Sequence, residues 1–497
     1  MKKPLPSRTR RPLLAILAVS TMLMPVTAFA DTTATVGGVT YVSKGLVGVG
    51  RLPANLRDKF DETFGSGSGM AIDQAGWTKD GNGYKGTIWL LPDRGYNVEG
   101  TTDYRERLNT LAIEFTPTKP GEAPAAGSEQ VGVKASLADT MLLLDDKGAD
   151  TTGLDPLSGT RAAAGDMPLL PQAQNGKISL DAEAIAKLPD GSFFVSDEYG
   201  PYIYRFSADG KLLSATPPPA ALLPMRKGKV DFASNNPGPG AAAPDPEDPE
   251  SGRQNNQGLE GMSLTPDGRF LIAVLQSAPR QDGGDSGATR HNTRALVYDA
   301  ADPAQLKLVQ EYVVPLPTFT DAKGKKKVAA QSEIVALSST AFLMLARDSG
   351  NGFGLKDDTS LYRVINVVDL SGATDIAGSD FDKDKAVAPK GELDASVKPA
   401  TLTPLIDIND KADLARFGLH NGAPNDRNNL SEKWEAMSVA SVLDPALPDD
   451  YFLFVSNDND FLTQDGFQVG AASKAEDGAD VDTTLLVYQV TLPGLKK

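Results

Sequence analysis

The sequence predicts an all-β protein, a β-propeller of six blades with seven as the alternative. Three observations lead there. An acidic residue opening an apolar strand recurs four times, at Glu183-Ala184-Ile185, Glu260-Gly261-Met262-Ser263, Glu333-Ile334-Val335 and Glu435-Ala436-Met437-Ser438. Each copy runs through a turn into a second apolar strand with a polar end, and a third strand follows. Sheet units of this size cannot cover both of their faces alone, and repetition around a ring supplies the missing neighbours.

Within a unit the first strand alternates, so that Glu260, Met262 and Leu264 share one face, as do Glu333, Val335 and Leu337, and Glu435, Met437 and Val439. The turns Pro189-Asp190-Gly191 and Pro266-Asp267-Gly268 join a residue of fixed φ to one that tolerates the left-handed region, as a tight reversal requires. The second strands run from Phe193 to Glu198, Phe270 to Gln276, Phe342 to Asp348 and Tyr451 to Asp458. The third strands are Tyr202 to Phe206, Ala295 to Tyr298, Leu361 to Val364 and Leu485 to Val490. A weaker fifth copy comes first in the chain, with Gly69 to Ile72, Ile88 to Gly95 and Leu111 to Phe115 as its strands. These make five clear blades; the stretches Val131 to Leu144 and Leu402 to Ile408 are expected to complete one or two more. Residues 216–256, rich in Pro, Gly and Ala, form a loop insertion in a single domain spanning 31–497. The basic run from Lys323 to Lys327 is expected at a solvated hairpin tip.

The first thirty residues stand apart from this pattern. Lys2, Lys3, Arg8, Arg10 and Arg11 form a basic start, Leu13 to Val19 a short apolar core, and Ala28-Phe29-Ala30 a small-x-small cleavage site. This is a secretory signal by its layout, and it predicts a periplasmic or secreted protein with no stable membrane anchor after cleavage. Losing its five positive charges takes the formal charge from −16 to −21. So acidic a surface repels nucleic acid and excludes it as a partner. With no cysteine and two histidines, thiol chemistry and zinc sites have little to draw on.

In a hairpin the start of the first strand and the end of the second lie at one end. Counting from the turns places Glu183 beside Asp197, Glu260 beside Gln276, Glu333 beside Arg347 and Asp348, and Glu435 beside Asn457 and Asp458, all around one mouth. Carboxylates gathered this closely raise one another's pKa unless a cation compensates them. With oxygen ligands alone on offer, calcium fits best. The expected ligands are Glu183, Glu260, Glu333, Asp348, Glu435, Asp458 and Asp460. Arg94, Arg347 and Arg280 lie near the same rim and would hold phosphate or carboxylate. Repetition is itself what a structural role predicts, which puts Asp93-Arg94, Asp197-Glu198 and the 457–460 segment ahead of the four glutamates as functional candidates. No G-x-S-x-G elbow, P-loop, H-E-x-x-H motif or dinucleotide fingerprint occurs.

The segments Asp93-Arg94-Gly95, Asp197-Glu198-Tyr199-Gly200-Pro201, Asn256-Gln257-Gly258-Leu259-Glu260-Gly261-Met262 and Asn457-Asp458-Asn459-Asp460-Phe461 together resemble the phytase-like family, described as having esterase-like activity of phytase. The resemblance spans about Gly45 to Leu492. It implies a secreted propeller that hydrolyses phosphate esters. On that expectation calcium would neutralise the substrate phosphate and activate a water, while Asp93, Arg94, Asp197, Glu198 and Arg347 serve catalysis. The alternatives are a calcium-dependent lactonase or carboxylic esterase acting on a small-molecule ester, and a propeller that binds without catalysis.

Overall fold

The computed structural model describes Met1 and residues 31–495, apart from residues 66, 98, 99, 158, 159, 164 and 166. The expected signal thus lies, save for Met1, outside the described residues. Five antiparallel sheets stand around a central axis. The first blade comprises Gly69–Ile72, Gly83–Leu91, Arg107–Phe115 and Val133–Leu142, in that order from axis to rim. The second comprises Ala182–Lys187, Phe193–Asp197, Ile203–Phe206 and Leu212–Thr216. Leu259–Leu264, Phe270–Leu275, Asn292–Asp299 and Lys307–Pro315 form the third, and Ala330–Ala336, Ala341–Arg347, Arg363–Asp369 and Thr401–Asp407 the fourth.

The fifth blade closes the ring with both ends of the chain. Lys433–Ser441, Asp450–Asp458 and Thr483–Thr491 are followed outward by the N-terminal Val39–Leu52 and Thr32–Val36. The innermost strands touch in cyclic order, the fifth blade against the first. The propeller therefore has five blades, which corrects the expected six and its alternative of seven. The stretches counted toward further blades are the rim strands Val133–Leu142 and Thr401–Asp407, fourth members of sheets already counted. Long loops separate them from their partners in sequence, which makes them resemble independent units.

Sandwiching explains why the middle strands are apolar on both faces. Each seam between neighbouring blades holds its own buried cluster, and the five clusters close the circle. At the closing seam Phe115 meets Phe452 edge to face at 5.0 Å, and Tyr84 meets the same ring at 4.9 Å. The N-terminal strand fits beside the first blade because Gly50 has no side chain; a Cβ there would lie 2.3 Å from the Val133 carbonyl oxygen. At the axis, Gly69 lets the first blade approach the second, where a Cβ would lie 2.3 Å from the Glu183 carbonyl oxygen. The basic run caps the hairpin Thr318–Thr320/Lys326–Val328 and is exposed.

The 216–256 insertion is held closely against the ring. Arg226 donates to the carbonyls of Pro246, Asp231 and Glu247, and the fully buried Arg253 donates to those of Phe232 and Tyr199. Asp155 accepts from the N–H groups of Ser234 and Asn236 at 2.7 and 2.8 Å. The end of the insertion, Asn255 and Asn256, and the adjoining Gln257 are thereby delivered to the mouth of the propeller. Among the described residues no helix is long and apolar enough to cross a membrane.

Candidate functional site: an acidic mouth at one end of the ring

At one end of the axis the strands open into a cavity of about 410 Å³. Three of the four repeated glutamates reach it through a shared irregularity. The innermost strand loses register with its neighbour between Ala182 and Ile185 in the second blade, between Leu259 and Gly261 in the third, and between Trp434 and Ala436 in the fifth. A residue at such a bulge leaves the alternation and its side chain is re-aimed. Glu183, Glu260 and Glu435 occupy these slips and line the cavity.

In the fourth blade the slip falls between Gln331 and Glu333, so Ser332 takes the equivalent place. Glu333 pairs opposite Leu345 rather than Arg347, and its Oε1 accepts from the N–H groups of Met262 at 3.2 Å and Ile334 at 2.8 Å. It ties the third blade to the fourth and does not line the cavity. Asp197 and Asp348 are likewise turned into the chain, away from the expected rim. Asp197 accepts from the N–H groups of Asp181, Tyr199 and Gly200, shaping the turn that carries Glu198. Asp348 accepts from Ser360 Oγ at 2.6 Å, Leu361 N–H at 2.7 Å and Asn351 Nδ2 at 2.9 Å. Arg280 leans on the insertion through the Pro249 carbonyl, also outside the cavity.

The remaining expected residues come together. Asp93, Arg94, Glu183, Glu198, Glu260, Arg347, Glu435 and Asp460 all line the cavity, with Asp458 buried behind Asp460. Gln276 Nε2 donates to Glu260 Oε2 at 2.9 Å, the neighbour the hairpin count gave. Asp181, Lys433 and Arg290 join them, and sequence reasoning passed over all three; Asn256, singled out there only as part of a family segment, joins them too. Asp181 and Lys433 stand two residues before Glu183 and Glu435, a spacing that offers a signal once the bulges are known. Arg290 sits in a loop with no repeat to mark it.

The carboxylates form two groups. Asp93, Asp458 and Asp460 surround the ammonium of Lys433, which contacts Asp458, lies 3.0 Å from Asp460 Oδ1 and 3.5 Å from Asp93 Oδ2. Burial works against charge on Lys433, but these carboxylates and Glu435 outweigh it and hold its pKa well above the usual lysine value. Asp181, Glu183 and Glu198 form the second group, with ligand oxygens within 4.8 Å of one another. Arg94 reaches Asp181 at 3.2 Å and also donates to Asn256 Oδ1.

Burial and the neighbouring Asp181 push Glu198 up to about 7, and burial with Glu260 and Glu198 raises Glu183. Glu260 lies against Glu198, carboxyl to carboxyl, and is raised in turn. Two acceptors in contact require a proton or a cation between them. Burial also lifts Glu435 to about 7, against the pull of Lys433 and Arg347. The Glu198 Oε1 and Glu435 Oε2 atoms are buried without a hydrogen-bond donor.

Among the described residues, eight carboxylates, Glu432 included, and four basic side chains line the cavity. Two of the three guanidiniums are committed, Arg94 to Asp181 and Arg347 to Glu435 and Ser332. Arg290 is different: among the described residues it makes no ion pair, its Nε is buried without an acceptor, and burial alone lowers its pKa. The cavity therefore has an excess of negative charge on one wall and an uncommitted guanidinium in its lining.

Comparison with known proteins places the chain in a family. The family model for phytase-like proteins, described as esterase-like activity of phytase, matches residues 62–461. A protein of Arthroderma benhamiae described as an uncharacterized secreted protein is 40% identical over 461 residues, covering 86% of this chain and 89% of that one. Among solved structures, a luciferin-regenerating enzyme is 11% identical, with 90% of this chain and 97% of that one covered at a TM-score of 0.29. A putative 6-phosphogluconolactonase from Bacteroides uniformis is 12% identical, with 85% and 88% covered at a TM-score of 0.27. Scores this low carry no argument about activity or blade number.

Proposed function

Because the chain belongs to the phytase-like family, we propose that it is a secreted hydrolase of phosphoric esters, acting at this mouth with a divalent cation, calcium by the chemistry of the donors. The relative described as secreted supports the location. One observation carries the chemistry: a carboxylate group short of positive charge shares a small cavity with an arginine short of negative charge. A cation and an anionic substrate satisfy both walls at once.

The residues present fit the ion. Asp181, Glu183 and Glu198 would hold it with Glu260 beside them, an all-oxygen set of the kind calcium takes, and the donorless Glu198 Oε1 is one oxygen it would satisfy. When bound there it would supply charge to offset the phosphate and to acidify a water. The side chains do the rest. Arg290 binds the phosphoryl oxygens, and Arg94 and Lys433, fixed by their carboxylates, hold positive charge where negative charge grows on those oxygens. Glu435, poised near neutrality, takes the proton of the attacking water at Oε2. As water adds to phosphorus the ester P–O bond breaks, and the leaving alcohol takes up a proton from solvent.

A lactonase or carboxylic esterase calls for an apolar wall to receive its acyl chain, and among the described residues Val328 and Ala330 are the apolar ones lining the cavity. The test is phosphate release from phytate and from a simple aryl phosphate by the mature protein, with calcium and with chelator, beside Glu198→Gln and Arg94→Ala. Release that needs calcium and is lost in Glu198→Gln is expected. Folded protein that releases no phosphate under any condition would overturn the reading.

A further inference from the structure

The two carboxylate groups of the mouth differ in what they hold, and Lys433 makes the difference. Its side chain is about four-fifths buried, and four carboxylates crowd its nitrogen: Asp458 in contact, Asp460 at 3.0 Å, Asp93 at 3.5 Å and Glu435 Oε2 at 3.6 Å. An ammonium has three protons to give and one charge. Four converging carboxylates exceed it on both counts, and Glu435 Oε2, 2% exposed as a residue, points to it without receiving a hydrogen bond. Such a shell of oxygens suits an ion of higher charge and coordination number, six to eight oxygens for calcium.

The positions repeat as well as the chemistry. Asp181 stands two residues before Glu183 on the second blade, and Lys433 two residues before Glu435 on the fifth. Each pair lies at the start of an innermost strand, with its glutamate at the register slip. Where the second blade presents a carboxylate to its group, the fifth presents an amine to the other.

We propose that Lys433 is a tethered cation occupying a second metal-ion position, so that the natural chain takes one calcium ion where its carboxylates are arranged for two. The proposal rests on the reading that this mouth takes a divalent cation. A charge fixed to the chain does not leave with product or fall to a chelator. It also marks the end of the cavity where a substrate anion meets a permanent positive group.

The experiment is calorimetric titration of calcium chloride into metal-free protein, comparing the natural chain with Lys433→Met, Lys433→Arg and the double variant Lys433→Met/Asp458→Asn. One ion is expected for the natural chain and for Lys433→Arg, two for Lys433→Met, and one again for the double variant. Should Lys433→Met fail to fold without metal, Lys433→Gln takes its place, and circular dichroism checks each protein first. Equal counts for the natural chain and Lys433→Met would overturn the proposal, and so would two ions in the natural chain, which needs no variant. No ion in the natural chain with one in Lys433→Met would uphold the role of Lys433 while removing the cation from the reaction proposed above. Phosphate release is measured separately, so failure of the hydrolase reading leaves this count untouched.

Discussion

Removing divalent cations should make the protein less stable at pH 8 than at pH 5, and Glu198, raised to about 7 like Glu435 and Asp197, contributes a share that its own variant isolates. Its carboxyl is pushed from an ordinary 4.5 to about 7 by burial and by Asp181, with Arg94 and Lys433 pulling the other way. A carboxyl raised in the folded state binds its proton more tightly there than in the unfolded chain. The stability this lends is complete below pH 4.5 and is lost as pH rises through about 7. Between pH 5 and pH 8 the loss comes to about 2 to 3 kcal/mol for this one group. Calcium replaces the proton, and at a hundred times its Kd it restores about 2.7 kcal/mol. Carboxyls held low, such as Asp394 at about 2, act in more acid solution, outside this interval. His291, lowered by burial and Lys326, acts with opposite sign near neutrality, so the quantity to read is the difference between the natural chain and Glu198→Gln. Urea unfolding at the two pH values, with chelator and with excess calcium, gives that difference directly. A metal-free natural chain that loses no more stability than Glu198→Gln on going to pH 8 would refute the reasoning.

Glu333→Leu should destabilise the fold by about 1 to 3 kcal/mol, since it leaves two buried N–H groups without their acceptor, while leaving the calcium count unchanged; urea midpoints and titration separate the two. Gly50→Ala is expected to lower the melting temperature by opening the seam between the fifth and first blades, at about 1 to 3 kcal/mol, with calorimetry as the check. Arg290→Ala should raise KM for a phosphate ester about tenfold, roughly 1.4 kcal/mol of lost anion binding, with calcium binding unaltered. An unchanged KM would remove Arg290 from the substrate site.

Blade number was legible in the sequence up to a bookkeeping choice. The five copies that open with Gly69, Glu183, Glu260, Glu333 and Glu435 are the five blades. The extra count came from Val131 to Leu144 and Leu402 to Ile408, strands whose partners are distant in sequence and whose sheets are defined by hydrogen bonds alone. Loop length measures separation along the chain, and a rim strand behind a long loop shows the same alternation as the start of a new unit. The closing role of Val39–Leu52 was hidden for the same reason: it pairs with a strand at the other end of the chain.

The site was legible by composition and illegible by register. Counting residues from a turn assumes uninterrupted alternation, and one extra residue moves a side chain to the other face. The slip at Glu260 and Glu435 turns both into the cavity, while the slip at Ser332 leaves Glu333 holding the blade beside it. Repetition was thus no guide to role, because one repeated glutamate is structural and three line the mouth. Uniqueness was no better, because Asp197 belongs to one blade only and spends its oxygens on backbone N–H groups. The repeated and the unique candidates divide instead by what their oxygens receive from the chain. Asp197 and Glu333 have their donors from the chain, whereas Glu198 and Glu435 each keep a buried oxygen without one. Folding a carboxylate into that condition costs free energy, and a bound cation is the partner that would offset it.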